Sequence, residues 1–150
     1  MLDSGSADPR TPTLVAAPAP APPPITVVLA DDYPRYRDGI ARAIARRPPL
    51  SLVAEVEDGI SALEAILRLR PDVALLDMRM PGMTGLEVVD ALRSRGDAPA
   101  TRLVLMTADV DDDHGQALVA AGGDLLLDKS MTRAAVCAAL LDVARPPADA

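Results

Sequence analysis

The sequence predicts a doubly wound α/β domain in which five parallel strands alternate with five helices. Short apolar, β-branched runs alternate five times with segments whose apolar residues recur at helical spacing. The residues with the most chemical potential fall where those runs end, which is where open α/β sheets bind ligands. Apolar residues make up 49% of the chain, yet there is no Trp, no Phe and only two Tyr. The core must therefore be aliphatic, which suits a parallel sheet covered on both faces.

Residues 1–24 carry Pro9, Pro12, Pro18, Pro20 and the run Pro22 to Pro24, with Ala between. That spacing blocks helix and sheet and predicts a disordered tail. Ile25 to Ala30 is an apolar run that meets Asp31-Asp32, the pattern of a buried parallel strand reaching a polar loop. Pro34 suits a first helical turn, and Tyr36, Ile40, Ala43 and Ile44 follow at helical spacing until Pro48-Pro49. A second strand is expected over 50–56, then a helix over 59–70 with Ile60, Leu63 and Leu67 on one stripe, stopped by Pro71.

The third strand, 72–76, ends at Asp77, and the turn Met80-Pro81-Gly82 leads to a helix running to about Arg95. Thr84 and Glu87, three apart, are a capping box for it. A fourth strand over 102–106 precedes a helix over 109–121 with acids in its first turn, where the helix dipole favours them. After Gly122-Gly123 come a short strand, 125–127, and a last helix capped by Ser130 and ended by Pro146-Pro147. One domain over 25–145, with a short tail over 146–150, fits a chain of 150 residues.

The net charge of −7 opposes the phosphate backbone that dominates nucleic-acid affinity, so no direct nucleic-acid binding is expected. Arg35, Arg37, Arg42, Arg46 and Arg47 are interrupted by apolar positions and read first as a solvated face, second as a docking surface for an acidic partner. The single cysteine, Cys137, excludes an internal disulfide and reads as a buried small hydrophobe. No apolar run is long enough for a membrane span and no signal peptide is evident, so a soluble cytoplasmic chain is expected.

Asp31, Asp32, Asp77, Thr107 and Lys129 leave four strands at one edge. Three carboxylates this close resist ionisation unless a cation neutralises them. Mg²⁺ fits, because it takes one or two carboxylates and leaves positions for a phosphoryl oxygen. Asp77 follows a wholly apolar strand and precedes a tight turn, the placement of a nucleophile that would form an aspartyl phosphate. Lys129 is the only lysine in the chain and suits a phosphoryl oxygen or, before one is present, Asp77 itself. Thr107 offers a hydroxyl to the same oxygens. Singly, each has a plain structural explanation: helix capping for Asp31-Asp32, an acid that ends a strand for Asp77, a surface lysine for Lys129.

Together with Asp77-Met78-Arg79-Met80-Pro81-Gly82-Met83-Thr84-Gly85 and Met106-Thr107-Ala108, these residues resemble the receiver domains of bacterial response regulators. The resemblance implies the flavodoxin-like receiver fold with strand order 2-1-3-4-5. It also implies a phosphorelay in which a sensor histidine kinase or phosphotransfer protein donates to Asp77. Mg²⁺ would be held by Asp32, Asp77 and the backbone carbonyl of Arg79, with Asp31 acting partly through water. Thr107, Ala108 and Lys129 would bind phosphate and switch. The segment from Asp31 to Gly39 looks most like regulators with a C-terminal helix-turn-helix. Only 21 residues follow Lys129, so the expected output is contact with a downstream protein target.

The chain departs from the family at Leu126, where receivers usually carry a switching aromatic. The last helix, apolar around much of its circumference from Ala134 to Leu141, suggests a homodimer or docking surface. Arg79 and Asp109 are candidates for an ion pair shielding the site. Two alternatives stand beside the switch: a receiver fragment of a DNA-binding regulator, and a phosphate-ester hydrolase. The hydrolase requires Asp-x-Asp at the nucleophile, and its second acid is replaced here by Arg79.

Overall fold

The computed structural model describes residues 22–110 and 112–145. The tails expected over 1–24 and 146–150 lie outside the described residues, except for Pro22 to Pro24, which form no regular element. Ten elements alternate along the chain: β1 (Ile25–Ala30), α1 (Pro34–Ala45), β2 (Leu50–Val56), α2 (Gly59–Leu69), β3 (Val73–Asp77), α3 (Gly85–Arg93), β4 (Arg102–Thr107), α4 (Asp112–Ala121), β5 (Leu125–Asp128) and α5 (Arg133–Ala144). The strands form one parallel sheet ordered β2-β1-β3-β4-β5, the expected fold.

Period-two alternation divides the central strands between two cores. Val28, Ala30, Ala74, Leu76, Leu103 and Leu105 face α2, α3 and α4, meeting Ile66, Val88, Leu92 and Leu118. Val27, Leu29, Val73, Leu75, Val104 and Met106 face α1 and α5, meeting Ile40, Ile44, Val136 and Leu140. A strand buried on both faces reads as a continuous apolar run, which is why β1, β3 and β4 stand out in the sequence. β2 lies at the edge and slips register between Val27 and Val28, leaving Val53 partly exposed.

Several boundaries differ from the sequence expectation. Thr132, not Ser130, caps α5, its hydroxyl accepting from Ala135 N–H. Ser130 N–H is already taken by the Asp128 carboxylate at 2.8 Å. α4 begins at Asp112 rather than at 109, because Asp109 is held back by β4: its N–H donates to Thr107 Oγ1 at 3.1 Å. On α2 the buried face is Ala62, Ala65 and Ile66, while Ile60 is exposed beside the Gly82 turn. The excess apolar surface expected on α5 consists of alanines: Ala134 is exposed, Ala138 and Ala139 half-buried, and Val136, Cys137, Leu140 and Leu141 buried.

Candidate functional site

Sheet register brings the acids together. Ala30 pairs with Leu76, so the chain leaves β1 at Asp31 and β3 at Asp77 on neighbouring strands at one edge. Asp77 pairs with Met106, and Thr107 with Asp128. Lys129 N–H then donates to the Thr107 carbonyl at 2.9 Å, which fixes where the lysine stem starts.

The loop after β3 is built to approach the sheet closely. Gly85 opens α3 against the Asp77 carbonyl, where a Cβ would collide with backbone and with Leu105. Gly82 has φ +81°, a conformation glycine adopts without strain. The Thr84–Glu87 capping box is present as expected: Glu87 N–H donates to Thr84 Oγ1 at 3.1 Å and Thr84 N–H to Glu87 Oε1 at 3.0 Å.

Asp31, Asp32 and Asp77 each place a carboxylate oxygen within 4.8 Å of the others. Asp31 is fully buried, Asp77 is 6% exposed and Asp32 is exposed. From β5, Lys129 reaches past β4 to set its Nζ 2.8 Å from Asp31 Oδ2 and 3.2 Å from Asp77 Oδ2. Asp31 Oδ1 accepts from Tyr33 N–H at 2.8 Å. Asp31 Oδ2 receives no aligned hydrogen bond among the described residues, so its contact with the ammonium is charge pairing at close range.

Above the acids opens a cavity of about 380 Å³ that Asp32, Asp77, Arg79, Thr107, Ala108 and Lys129 help to line. A larger groove of about 650 Å³ between α3 and α4 is walled by Met83, Leu86 and alanines with Glu87 and Asp90, and holds no cation or hydroxyl. The smaller cavity is the one with convergent chemistry.

Burial, reinforced by the charge of Asp31, pushes the Asp77 carboxyl up to about 6, against the opposing pull of Lys129 and the Arg79 N–H. Burial also disfavours the charged form of Lys129, but Asp31 and Asp77 together outweigh it and hold the ammonium above its usual range. The Asp77 carboxylate is in a state that a further positive charge would relieve, and the Lys129 ammonium is kept charged beside it. A buried carboxylate oxygen with no aligned hydrogen bond, a raised carboxyl and an exposed third acid are a donor set that fits a hard divalent cation.

Six of the eight positions expected at the site line this cavity, and Asp31 lies buried beside it. Leu126 does not join them: it is half-buried against the α2–α4 core. Arg79 and Asp109 both line the cavity but make no ion pair with each other among the described residues. Asp109 is engaged through its backbone: its carbonyl accepts from Thr107 Oγ1 at 3.3 Å and lies 2.8 Å from His114 Nδ1.

Two residues expected elsewhere touch the site: Arg37, expected on a solvated or docking face, and Tyr36, expected among the apolar positions of the first helix. Arg37 donates to the Asp31 carbonyl at 2.7 Å and pairs with Glu55 at 3.2 Å, bracing the acidic loop from α1. Tyr36 lies beneath the Lys129 ammonium, 4.6 Å from Nζ to ring centroid. Their position in the first turn of the helix that follows the acidic pair was the signal available, and a solvated face for Arg37 and core packing for Tyr36 explained it equally well.

Comparison with known proteins agrees with this geometry. The response regulator receiver domain model matches residues 27–141. The probable transcriptional regulatory protein NarL of Mycobacterium tuberculosis is 40% identical over 126 residues, covering 84% of this chain and 57% of that protein. The nitrate/nitrite response regulator protein NarL of Escherichia coli is 34% identical over 108 residues, covering 72% and 49%. The chain thus spans about half the length of the curated relatives it matches. Among solved structures, the signal receiver domain of NarL from Mycobacterium tuberculosis superposes with a TM-score of 0.79 at 38% identity, covering 84% of this chain and all of that one. The response regulator domain of Thermotoga maritima CheB shares the fold, with a TM-score of 0.73 at 20% identity over 83% of this chain and 100% of that chain. With its sheet order, its acidic pocket and a family match over most of its length, the chain belongs to the response regulator receiver domains of two-component systems.

Proposed function

We propose that Asp77 is the phosphoacceptor of this receiver, taking its phosphoryl group from a histidine kinase or phosphotransfer protein. The observation that carries the reading is the placement of Asp77 at the floor of the cavity, raised to about 6 and 3.2 Å from the chain's only lysine. A carboxylate oxygen of Asp77 attacks phosphorus, the P–N bond to the donor imidazole breaks, and the imidazole takes up a proton as it leaves.

Lys129 already contacts Asp77 and is positioned to pair with an equatorial phosphoryl oxygen as charge develops there. Thr107 Oγ1 is held by the Asp109 backbone at 3.1 and 3.3 Å, and a phosphoryl oxygen would draw it inward. Releasing Asp109 frees the segment between β4 and α4. With Leu126 at the usual aromatic position, the signal passes through that segment rather than through a rotating ring. Mg²⁺, when bound by Asp32, Asp77 and the Arg79 carbonyl with Asp31 acting partly through water, offsets the negative charge that the transferred group brings. The Arg79 N–H donates to Asp77 Oδ1 at 3.4 Å, which holds the loop after β3 beside the acceptor.

The names of the relatives favour a second reading of the output. They are transcriptional regulatory proteins matched over about half their length, so this receiver would act as the input half of a DNA-binding regulator. An in-frame helix-turn-helix coding segment downstream supports that reading. Its absence favours output by contact with a separate protein. No helix among the described residues is long and apolar enough to cross a membrane, and we place the phosphorelay in the cytoplasm.

Incubation with Mg²⁺ and acetyl phosphate, followed by intact mass, tests the acceptor. A single phosphoryl gain on the parent and none on Asp77→Asn is expected. An equal gain on both proteins would falsify the assignment.

A further inference from the structure

Lys129 carries its charge on a four-carbon stem with many rotamers, and a side chain of that kind reaches a fixed place only when several contacts hold it. Two carboxylates attract the ammonium, Asp31 at 2.8 Å and Asp77 at 3.2 Å. Attraction alone leaves it free to swing towards solvent, since the side chain remains 18% exposed. A third contact comes from α1: the ammonium lies over the Tyr36 ring, 4.6 Å from its centroid.

The ring is itself held at both ends. Its backbone belongs to the first turn of α1, and the ring packs half-buried against the α1–α5 core. Its hydroxyl donates to Met106 Sδ at 3.4 Å, and Met106 is fully buried in β4. Met106 is also the register partner of Asp77 and the residue before Thr107. A ring pinned between α1 and β4 is therefore a fixed wall for a mobile cation.

We propose that Tyr36 is a positioning residue for phosphoryl transfer, its ring forming the third side of a cage that holds the Lys129 ammonium between Asp31 and Asp77. The role in transfer rests on Asp77 being the acceptor, whereas the cage itself does not. The negative face of an aromatic ring attracts a cation, most strongly where water is partly excluded. The energy lies in the ring face, so phenylalanine should serve and an aliphatic side chain of similar bulk should not. The hydroxyl contact with a thioether is weak and serves mainly to orient the ring.

Because Lys129 is the only lysine, lysine labelled at the ε carbon gives one side-chain signal in a proton–carbon NMR spectrum. In the parent and in Tyr36→Phe that signal should be shifted upfield by the ring. In Tyr36→Leu it should return to the position of free lysine. Phosphoryl gain at Asp77 from acetyl phosphate should be slowed about five- to tenfold in Tyr36→Leu, about 1–1.4 kcal/mol in the barrier, and should stay near the parent rate in Tyr36→Phe. Tyr36→Leu transferring as fast as the parent overturns the role in transfer. A parent lysine signal without an upfield shift, or Tyr36→Phe behaving as Tyr36→Leu does, overturns the ring as the wall. No phosphate on the parent overturns the acceptor reading alone, and the lysine signals then still decide for or against the cage.

Discussion

The two ends of the sheet use the same residue types in opposite ways. At the amino end, Asp72 accepts from Thr26 N–H at 2.8 Å and from Thr26 Oγ1 at 3.1 Å, and its own N–H returns to that hydroxyl at 2.9 Å. Asp124 accepts from Leu103 N–H at 2.7 Å and pairs with Arg93 at 3.1 Å and Arg102 at 3.6 Å. Arg93 in turn donates to the Gly122 and Thr101 carbonyls. At the carboxyl end, three acids cluster and two of them share one lysine, one buried oxygen lacks an aligned donor, and Asp77 is pushed up to about 6. Satisfied carboxylates tie neighbouring segments together, while under-satisfied ones keep capacity for a ligand. Stability and function are thus separated along the strand axis, which can be tested by substitutions at each end.

Asp77 should show the larger effect. Its carboxyl has a native value of about 6 against 3.8 in the unfolded chain, so the native state binds this proton more tightly. Whatever stability the group contributes is fully present below pH 3.8 and lost as pH rises through 6. Asp77→Asn should therefore be more stable than the parent at pH 7.5 by about 1–3 kcal/mol, the upper figure following from 1.36 kcal/mol per pH unit and the lower allowing for the partner that Lys129 loses. Urea unfolding without Mg²⁺ at pH 7.5 and near pH 4 checks this, the gap closing at the lower pH. A parent more stable than the variant at pH 7.5 would mean that the carboxyl end is not strained.

Asp124→Ala should do the reverse. It leaves Leu103 N–H and two guanidinium groups without their acceptor, at a cost of about 2 kcal/mol because hydrogen bonds to charged groups are the stronger kind. Phosphoryl gain at Asp77 should be unaffected. A urea midpoint equal to the parent's would show that the Arg93–Asp124 network is surface ornament, and slowed phosphoryl gain would show that the two ends are coupled.

Sequence reading succeeded where one physical cause acts locally. The runs of β1, β3 and β4 are apolar because both faces are covered, and each ends where a polar residue meets the loop, so the strands and Asp31, Asp77 and Thr107 could be read together. It failed where a competing local hydrogen bond, or a partner distant in sequence, decides between readings that the pattern leaves equal. Asp109 looked like a helix start, but Thr107 holds its N–H. Ser130 looked like a cap, but the helix starts later and the Thr132 hydroxyl accepts from Ala135 N–H instead. Ile60 sits at helical spacing with Leu63 and Leu67, yet the face that meets the sheet is the one with small Ala62 and Ala65. Tyr36 was invisible for the same reason, since an aromatic at a core-facing helical position gives no sign that a lysine more than ninety residues later will lie over its ring.

The subtlest contrast lies within one strand, which a threonine brackets at each end. Thr101, just before β4, is buried and donates to the Pro71 carbonyl at 2.7 Å. Thr107, the last residue of β4, is nearly as buried, but its hydroxyl serves the exposed Asp109 backbone at 3.1 and 3.3 Å. Valine preserves the shape of both. Thr101→Val should cost about 1 kcal/mol, the usual net worth of one hydrogen bond, and leave signalling intact. Thr107→Val should cost less, because water can replace its hydroxyl for Asp109. Its effect should appear only after phosphorylation: the phosphoryl group is gained, but amide exchange along α4, which speeds up or slows down in the phosphorylated parent, should stay at its unphosphorylated rate. If Thr107→Val still shows the parent's change in exchange, the hydroxyl is not the switch, and the signal leaves the site through Lys129 and β5 instead.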